Sequence, residues 1–228
     1  MRYKAIFFDR DGTLTYFCQE KELWRNQIIS QWSGKLFELS YEKMMNLFSL
    51  ASEGKTPWYK DVEDEKEFFK RYYRHLLIGE GVEEDLDCRA KLLFDELWCN
   101  GDRALFPETI EVLEYFYKNG YKMGVISDTS PSLEFTLQQL GIAKYFTSFT
   151  ASSLVGAGKP SPIIFNAALA VQGVSAQESI YVDDYKVEAD GAREQGFTSF
   201  LIDRSGADAD QWSIQSLKQL IDFVERNG

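Results

Sequence analysis

Ala5-Ile6-Phe7-Phe8-Asp9-Arg10-Asp11-Gly12-Thr13-Leu14-Thr15 decides how this chain folds. Four apolar residues run directly into two aspartates two positions apart, the pattern of a buried strand with charge at its carboxyl end. Carboxylates about 4 Å apart repel by roughly 4 kcal/mol at an effective dielectric near 20. A fold tolerates that cost more readily when a cation, a shared proton or a reaction uses both groups. Gly12 suits a tight turn and a close approach of backbone to a ligand.

Further along, similar apolar runs recur at Lys122 to Ser127, Phe146 to Thr150, Ser179 to Asp183 and Thr198 to Asp203. With Lys4 to Asp9 they make five strands, apolar throughout rather than alternating, as expected of strands buried on both faces. Helix signals fall between them, with proline near the start and glycine just past the end. Pro107 to Asn119 stops at Gly120, Pro131 to Leu140 (N-cap Ser130) at Gly141, and Pro162 to Gln172 (N-cap Ser161) at Gly173. The alternation predicts an α/β fold with a doubly wound, parallel, five-stranded sheet. Ligands of such sheets bind outside the carboxyl ends of the strands, where Asp9, Ser127 and Asp183 fall.

Residues 16–103 break this rhythm. Met44, Leu47, Phe48 and Ala51 share one helical face, and Leu86, Ala90, Leu93, Phe94 and Leu97 another. Glu63 to Ile78 repeats Phe68/Phe69, Tyr72/Tyr73 and Leu76/Leu77 four apart. The expected organisation is therefore one domain from 1–15 and 104–228, interrupted by an all-helical domain at 16–103.

Composition narrows the function. The 228 residues are 44 % hydrophobic and 27 % charged, ordinary for a soluble globular protein. A formal net charge of -11 argues against a broad nucleic-acid or anionic-membrane surface. No run reaches the ~18 apolar residues of a membrane helix, and Met1-Arg2-Tyr3-Lys4 leads into a strand rather than a signal peptide. Cys18, Cys88 and Cys99 lack CxxC spacing and read as free thiols of a reducing, cytoplasmic compartment. One histidine, His75, excludes His-rich metal sites and argues against a Ser-His-Asp triad.

Four short segments, in order, carry the chemistry: Asp9-Arg10-Asp11-Gly12-Thr13-Leu14, Val125-Ile126-Ser127-Asp128-Thr129, Gly158-Lys159-Pro160-Ser161-Pro162 and Ile180-Tyr181-Val182-Asp183-Asp184. Together they resemble the haloacid dehalogenase-like hydrolase superfamily, in its branch with a helical cap inserted after the first strand of a Rossmann-like core. The resemblance implies phosphoryl transfer through an aspartyl-phosphate. Asp9 would be the nucleophile, and Asp11 the general acid and then base. Ser127, with backbone N–H groups such as that of Asp128 and the turn at Gly12, would bind the phosphoryl group. Lys159 would neutralise charge on it. Asp183, with Asp184 and beside Asp9 and the backbone carbonyl of Asp11, would hold Mg2+. An all-carboxylate donor set suits that hard cation, which removes the repulsion between nucleophile and phosphate dianion. The fourth segment is a double-aspartate variant, which leaves the roles of Asp183 and Asp184 open. The acid at position 11, absent from the superfamily's dehalogenases, favours a phosphatase or phosphomutase over carbon–halogen cleavage.

The expected function is a cytoplasmic, Mg2+-dependent phosphatase of a small phosphorylated metabolite, monomeric or homodimeric. The alternatives are a phosphomutase of the beta-phosphoglucomutase type and a non-enzymatic aspartyl-phosphate switch. Glu188 and Asp190 read as solvated helix residues. Arg10 reads equally as facing substrate or solvent. In the insertion, Trp58, Lys60, Arg71, Arg74 and His75 are candidates to contact the leaving group, against a plain packing role for the aromatics.

Overall fold

The first strand, β1 (Ala5–Phe8), is buried along its whole length. Its side chains alternate between two apolar layers, Ile6 and Phe8 in one and Ala5 and Phe7 in the other. That is why the run shows no polar alternation. The computed structural model describes residues 2–53, 59–99, 103–207 and 210–227. After β1 come β2 (Thr15–Phe17), α1 (Gln19–Ser33), α2 (Tyr41–Ala51), α3 (Val62–Gly79), α4 (Leu86–Leu97) and β3 (Arg103–Leu105). Then follow α5 (Thr109–Lys118), β4 (Lys122–Ser127), α6 (Leu133–Gln139), β5 (Ser148–Ala151), α7 (Ser152–Val155) and α8 (Pro162–Gln172). The chain finishes with β6 (Ser179–Asp183), α9 (Lys186–Glu194), β7 (Thr198–Ile202), β8 (Ser213–Ile214) and α10 (Lys218–Asn227).

Two compact units emerge, Met1–Tyr16 with Ala104–Gly228, and Phe17–Arg103. The first holds a parallel sheet in the order β5-β4-β1-β6-β7-β8. This is the doubly wound α/β architecture, with six strands instead of the expected five. The sixth, Ser213–Ile214, is two residues long and has too little sequence to show a period. Helices cover both faces. Val112 and Phe116 of α5, Leu133 and Leu137 of α6, and Leu220 and Val224 of α10 pack with Ile6 and Phe8. Ile164, Phe165 and Ala168 of α8 and Ala192 of α9 pack with Ala5 and Phe7.

Helix starts follow the sequence signals unevenly. Ser161 caps α8, its hydroxyl accepting from the Ile163 N–H at 3.3 Å. The helix expected from Pro131 begins at Leu133 instead, because Pro131 and Ser132 are spent on a turn and Ser132 takes the cap position. The strand expected from Phe146 begins at Ser148, since Phe146 closes a short 3-10 turn and packs into the core.

Between Gln19 and Leu97 every regular element of the described residues is a helix. An aromatic core ties α2, α3 and their surroundings: Phe68 lies 5.4 Å from Phe48, 5.3 Å from Tyr59 and 5.2 Å from Phe69, ring centre to ring centre. Among the described residues no helix is long and apolar enough to cross a membrane.

Candidate active site

Because β1 lies between β4 and β6, three chain-distant strand ends become neighbours. Phe8 pairs with Val125 on one side and Val182 on the other, and the Asp9 N–H donates to the Val182 carbonyl at 2.9 Å. Asp9, Ser127 and Asp183 are buried at these ends, with Asp184 next to them at the surface. Carboxylate oxygens of Asp9, Asp183 and Asp184 all lie within 4.8 Å of one another. Gly12 makes room for the third. Its φ is +79°, and a Cβ there would stand 2.0 Å from Asp184 Oδ2. Glycine is required here for both conformation and space.

Lys159 joins the acids from the loop between α7 and α8. Its side chain is 2 % exposed, and Nζ lies 2.7 Å from Asp9 Oδ1, 2.7 Å from Asp183 Oδ2 and 2.6 Å from Glu188 Oε2. Two devices aim it. The Asp128 carboxylate accepts the Lys159 backbone N–H with both oxygens, at 3.0 and 3.1 Å. Gly191 of α9 lets Pro160 settle on the helix, where a Cβ would come 2.3 Å from Pro160 Cβ. The buried Tyr181 hydroxyl donates to Asp183 Oδ2, and its ring centre lies 5.9 Å from Lys159 Nζ.

One ammonium facing three carboxylates leaves an excess of negative charge in a dry place. Burial pushes Asp9 up to about 7, against the pull of Lys159 and with the repulsion of Asp183 added. Burial likewise pushes Glu188 up to about 7. Asp184 is raised by burial and by Asp183. Burial disfavours the charge on Lys159, yet Asp9, Asp183 and Glu188 outweigh it and hold the ammonium above its ordinary range. A site that is electron-rich, all-oxygen and short of positive charge fits a hard divalent cation.

The Asp11 carboxylate stands outside the acid trio. Arg10 grips it with Nε at 3.1 Å and Nη2 at 2.8 Å, and the Thr15 hydroxyl donates to it at 2.9 Å. Arg10 is only 5 % exposed, so it faces its own neighbour rather than solvent. Glu188 is not a solvated helix residue but a partner of Lys159. Asp190 pairs with Lys186 and Arg193 at the surface.

In the helical unit, Trp58 lies outside the described residues. Arg71 donates to the Ala51 carbonyl at 2.9 Å and Arg74 to Asp87 at 2.9 Å, both within that unit. Lys60 is exposed beside Asp64, and His75 is half-buried. Sequence reasoning missed Tyr181, Glu188 and the Asp128 carboxylate. Tyr181, two positions before Asp183 and so on the same strand face, left a usable signal.

The profile of the haloacid dehalogenase-like hydrolases matches residues 3–196. A glyceraldehyde 3-phosphate phosphatase of Methanocaldococcus jannaschii is 27 % identical over 232 residues, covering 97 % of each chain. A phosphatase of Mycobacterium tuberculosis is 26 % identical over 221 residues, covering 92 % of each. Among solved structures, a 2-haloacid dehalogenase from Pseudomonas syringae superposes with a TM-score of 0.68 at 24 % identity, over 99 % of this chain and 100 % of that one.

Proposed function

The chain belongs to the haloacid dehalogenase-like hydrolases, and from that premise we propose that it is a cytoplasmic, Mg2+-dependent phosphatase of a small phosphorylated metabolite. The observation that carries the reading is the acid trio with buried Lys159 at the ends of β1 and β6. The phosphatase names of relatives matching over nearly the whole chain favour hydrolysis over return of the phosphoryl group to an intermediate.

Asp9, Asp183 and Asp184 would hold Mg2+, with the backbone carbonyl of Asp11. Bound there, the cation would supply the charge that lets a carboxylate approach a phosphate dianion. A carboxylate oxygen of Asp9 attacks phosphorus, the bond from phosphorus to the leaving oxygen breaks, and Asp9 carries the phosphoryl group. Asp11, protonated and exchanging Arg10 and Thr15 for the leaving group, gives that oxygen its proton. As a carboxylate it then takes a proton from the water that attacks phosphorus, which frees Asp9 and releases inorganic phosphate. The Ser127 hydroxyl binds a phosphoryl oxygen, with the N–H of the adjoining Asp128 and the turn at Gly12, next to Asp11, as further contacts. Lys159 favours the ionised form of Asp9 against the effect of burial and offsets the charge of the phosphoryl oxygens. The helical unit, Phe17–Arg103, serves as the cap that selects the rest of the substrate.

The test is hydrolysis of p-nitrophenyl phosphate with Mg2+, followed by a panel of phosphorylated metabolites. Asp9→Asn is expected to lower turnover at least about a thousandfold with the circular dichroism spectrum unchanged. Turnover by Asp9→Asn at the wild-type rate would end this reading.

A further inference from the structure

The three carbonyl groups that follow Asp11 all receive donors from the distant half of the sheet unit. Leu14 O accepts from the Phe106 N–H at 3.2 Å and from the Thr109 hydroxyl at 2.9 Å. Arg204, just past β7, serves the other two. Its Nη2 donates to Thr13 O at 2.8 Å and its Nε to Gly12 O at 3.4 Å. Nη1 donates to Glu108 Oε1 at 2.6 Å, and the guanidinium carbon sits 3.4 Å from the Phe106 ring centre. Glu108 is itself buried, and Oε1 also accepts from the Ser216 hydroxyl at 3.3 Å.

We propose that Arg204 is a positioning residue: its guanidinium clamps the Gly12–Thr13 backbone and thereby sets where Asp11 and Asp184 stand. Gly12 is the link to both, adjoining Asp11 in the chain and lying against the Asp184 carboxylate. The shape of the group is what matters. A planar fork can donate in three directions within one plane while its face stacks on Phe106, and an ammonium cannot. Among the described residues no hydrogen bond or ion pair joins Arg204 to the acid trio, so its effect on chemistry passes through the loop. The inference rests on the phosphatase reading for its activity measurements only.

Substitution of Arg204 also leaves an addressable space. Beside it lies a cavity of about 550 Å3, lined by Gly12, Phe106, Asp184, Leu201, Asp203 and Arg204 among others. Free guanidinium can enter by that route.

Arg204→Lys and Arg204→Ala are each expected to lower kcat roughly tenfold to a hundredfold, with KM little changed. In the metal-free protein, amide hydrogen exchange over residues 9–16 speeds up in both variants. Millimolar guanidinium chloride restores rate and protection to Arg204→Ala, whereas potassium chloride of equal ionic strength does not. Glu108→Gln, which keeps the side-chain shape and weakens one anchor, shifts both readouts the same way by less, and serves if Arg204→Ala fails to fold. Wild-type exchange over 9–16 in the variants overturns the proposal. So does a loosened loop with unchanged kcat, or a rate loss that only follows the folded fraction and ignores guanidinium. If the wild-type protein hydrolyses no phosphate ester, the phosphatase reading falls, and the exchange and guanidinium arms still decide the clamp.

Discussion

In the sheet unit Lys159 is 2 % exposed and meets three carboxylates, whereas in the helical unit Lys66, Lys70 and Lys91 are 24 %, 51 % and 72 % exposed and pair with acids three or four residues away. The distances are much alike. What differs is the water. An exposed pair contributes about 0–1 kcal/mol, because solvent screens it and side-chain entropy opposes it. A buried one is desolvated at high cost and makes the removal of a single partner severe. The helical unit rests instead on apolar and aromatic contact, with Phe68, Tyr72, Leu76 and Leu77 on one helix all buried. The sheet unit gathers its buried charge at one ammonium and three carboxylates, whereas the helical unit buries only separate acids such as Glu65 and Glu80 within a mostly apolar core. The contrast can be tested from both sides.

The largest effect belongs to the buried ammonium. Lys159→Met is expected to reduce phosphate-ester hydrolysis by about a hundredfold to a thousandfold, measured as kcat with saturating Mg2+. The matching change in the other unit is Phe68→Ala, expected to cost about 3–5 kcal/mol in urea unfolding, with faster amide exchange in α1 to α4. Mg2+ sharpens the contrast. At a hundred times its dissociation constant it should stabilise the protein by about 2.7 kcal/mol, read from the thermal midpoint, and Asp183→Asn should erase the shift. Gly191→Ala tests the support under Lys159: the new methyl collides with Pro160, and about 1–3 kcal/mol of stability should go with it.

The smallest effect is a pH dependence in the helical unit. Burial raises Glu80, but the hydrogen bonds from Lys43 and Lys35 prevail and hold it below its ordinary value. The folded state therefore binds this proton less readily than the unfolded chain. Its stabilisation is present above the unfolded value and is lost as pH falls through the folded one. Glu80→Gln should remove about 1 kcal/mol at pH 7 and flatten the acid limb of a stability-pH curve.

Much of the sheet unit was legible because its strands are buried on both faces and its helices are punctuated by proline and glycine. The positions of Asp9, Ser127 and Asp183 at strand ends follow from that alone. The structure then brings Lys159 to Asp9 across 150 positions of sequence. Glu188 was misread for a physical reason: acids in the first turn of a helix are common through the dipole, and only the returning lysine loop reveals its partner. Arg10 takes neither of its two expected directions because it pairs with the very next residue. Helix α1 left a fainter trace, since Ile29 is its one fully buried residue and Trp24, Ile28 and Trp32 pack beside it only partly covered. Arg204 was silent, because two of its three acceptors are backbone carbonyls, which every sequence has, and the third, Glu108, lies 96 positions away.

The place of β1 between β4 and β6 also has a consequence for synthesis. This strand leaves the ribosome before either neighbour, and its partners are residues 122–125 and 179–182. Until more than a hundred further residues have been translated, Ala5–Phe8 is a sticky, unpaired apolar segment. The helices of residues 19–97, built on local contacts, can form during that interval. Biogenesis thus runs opposite to the finished architecture: the segment that ends innermost is made early and seated late, so slowing translation between residues 97 and 179 should raise aggregation of the nascent chain.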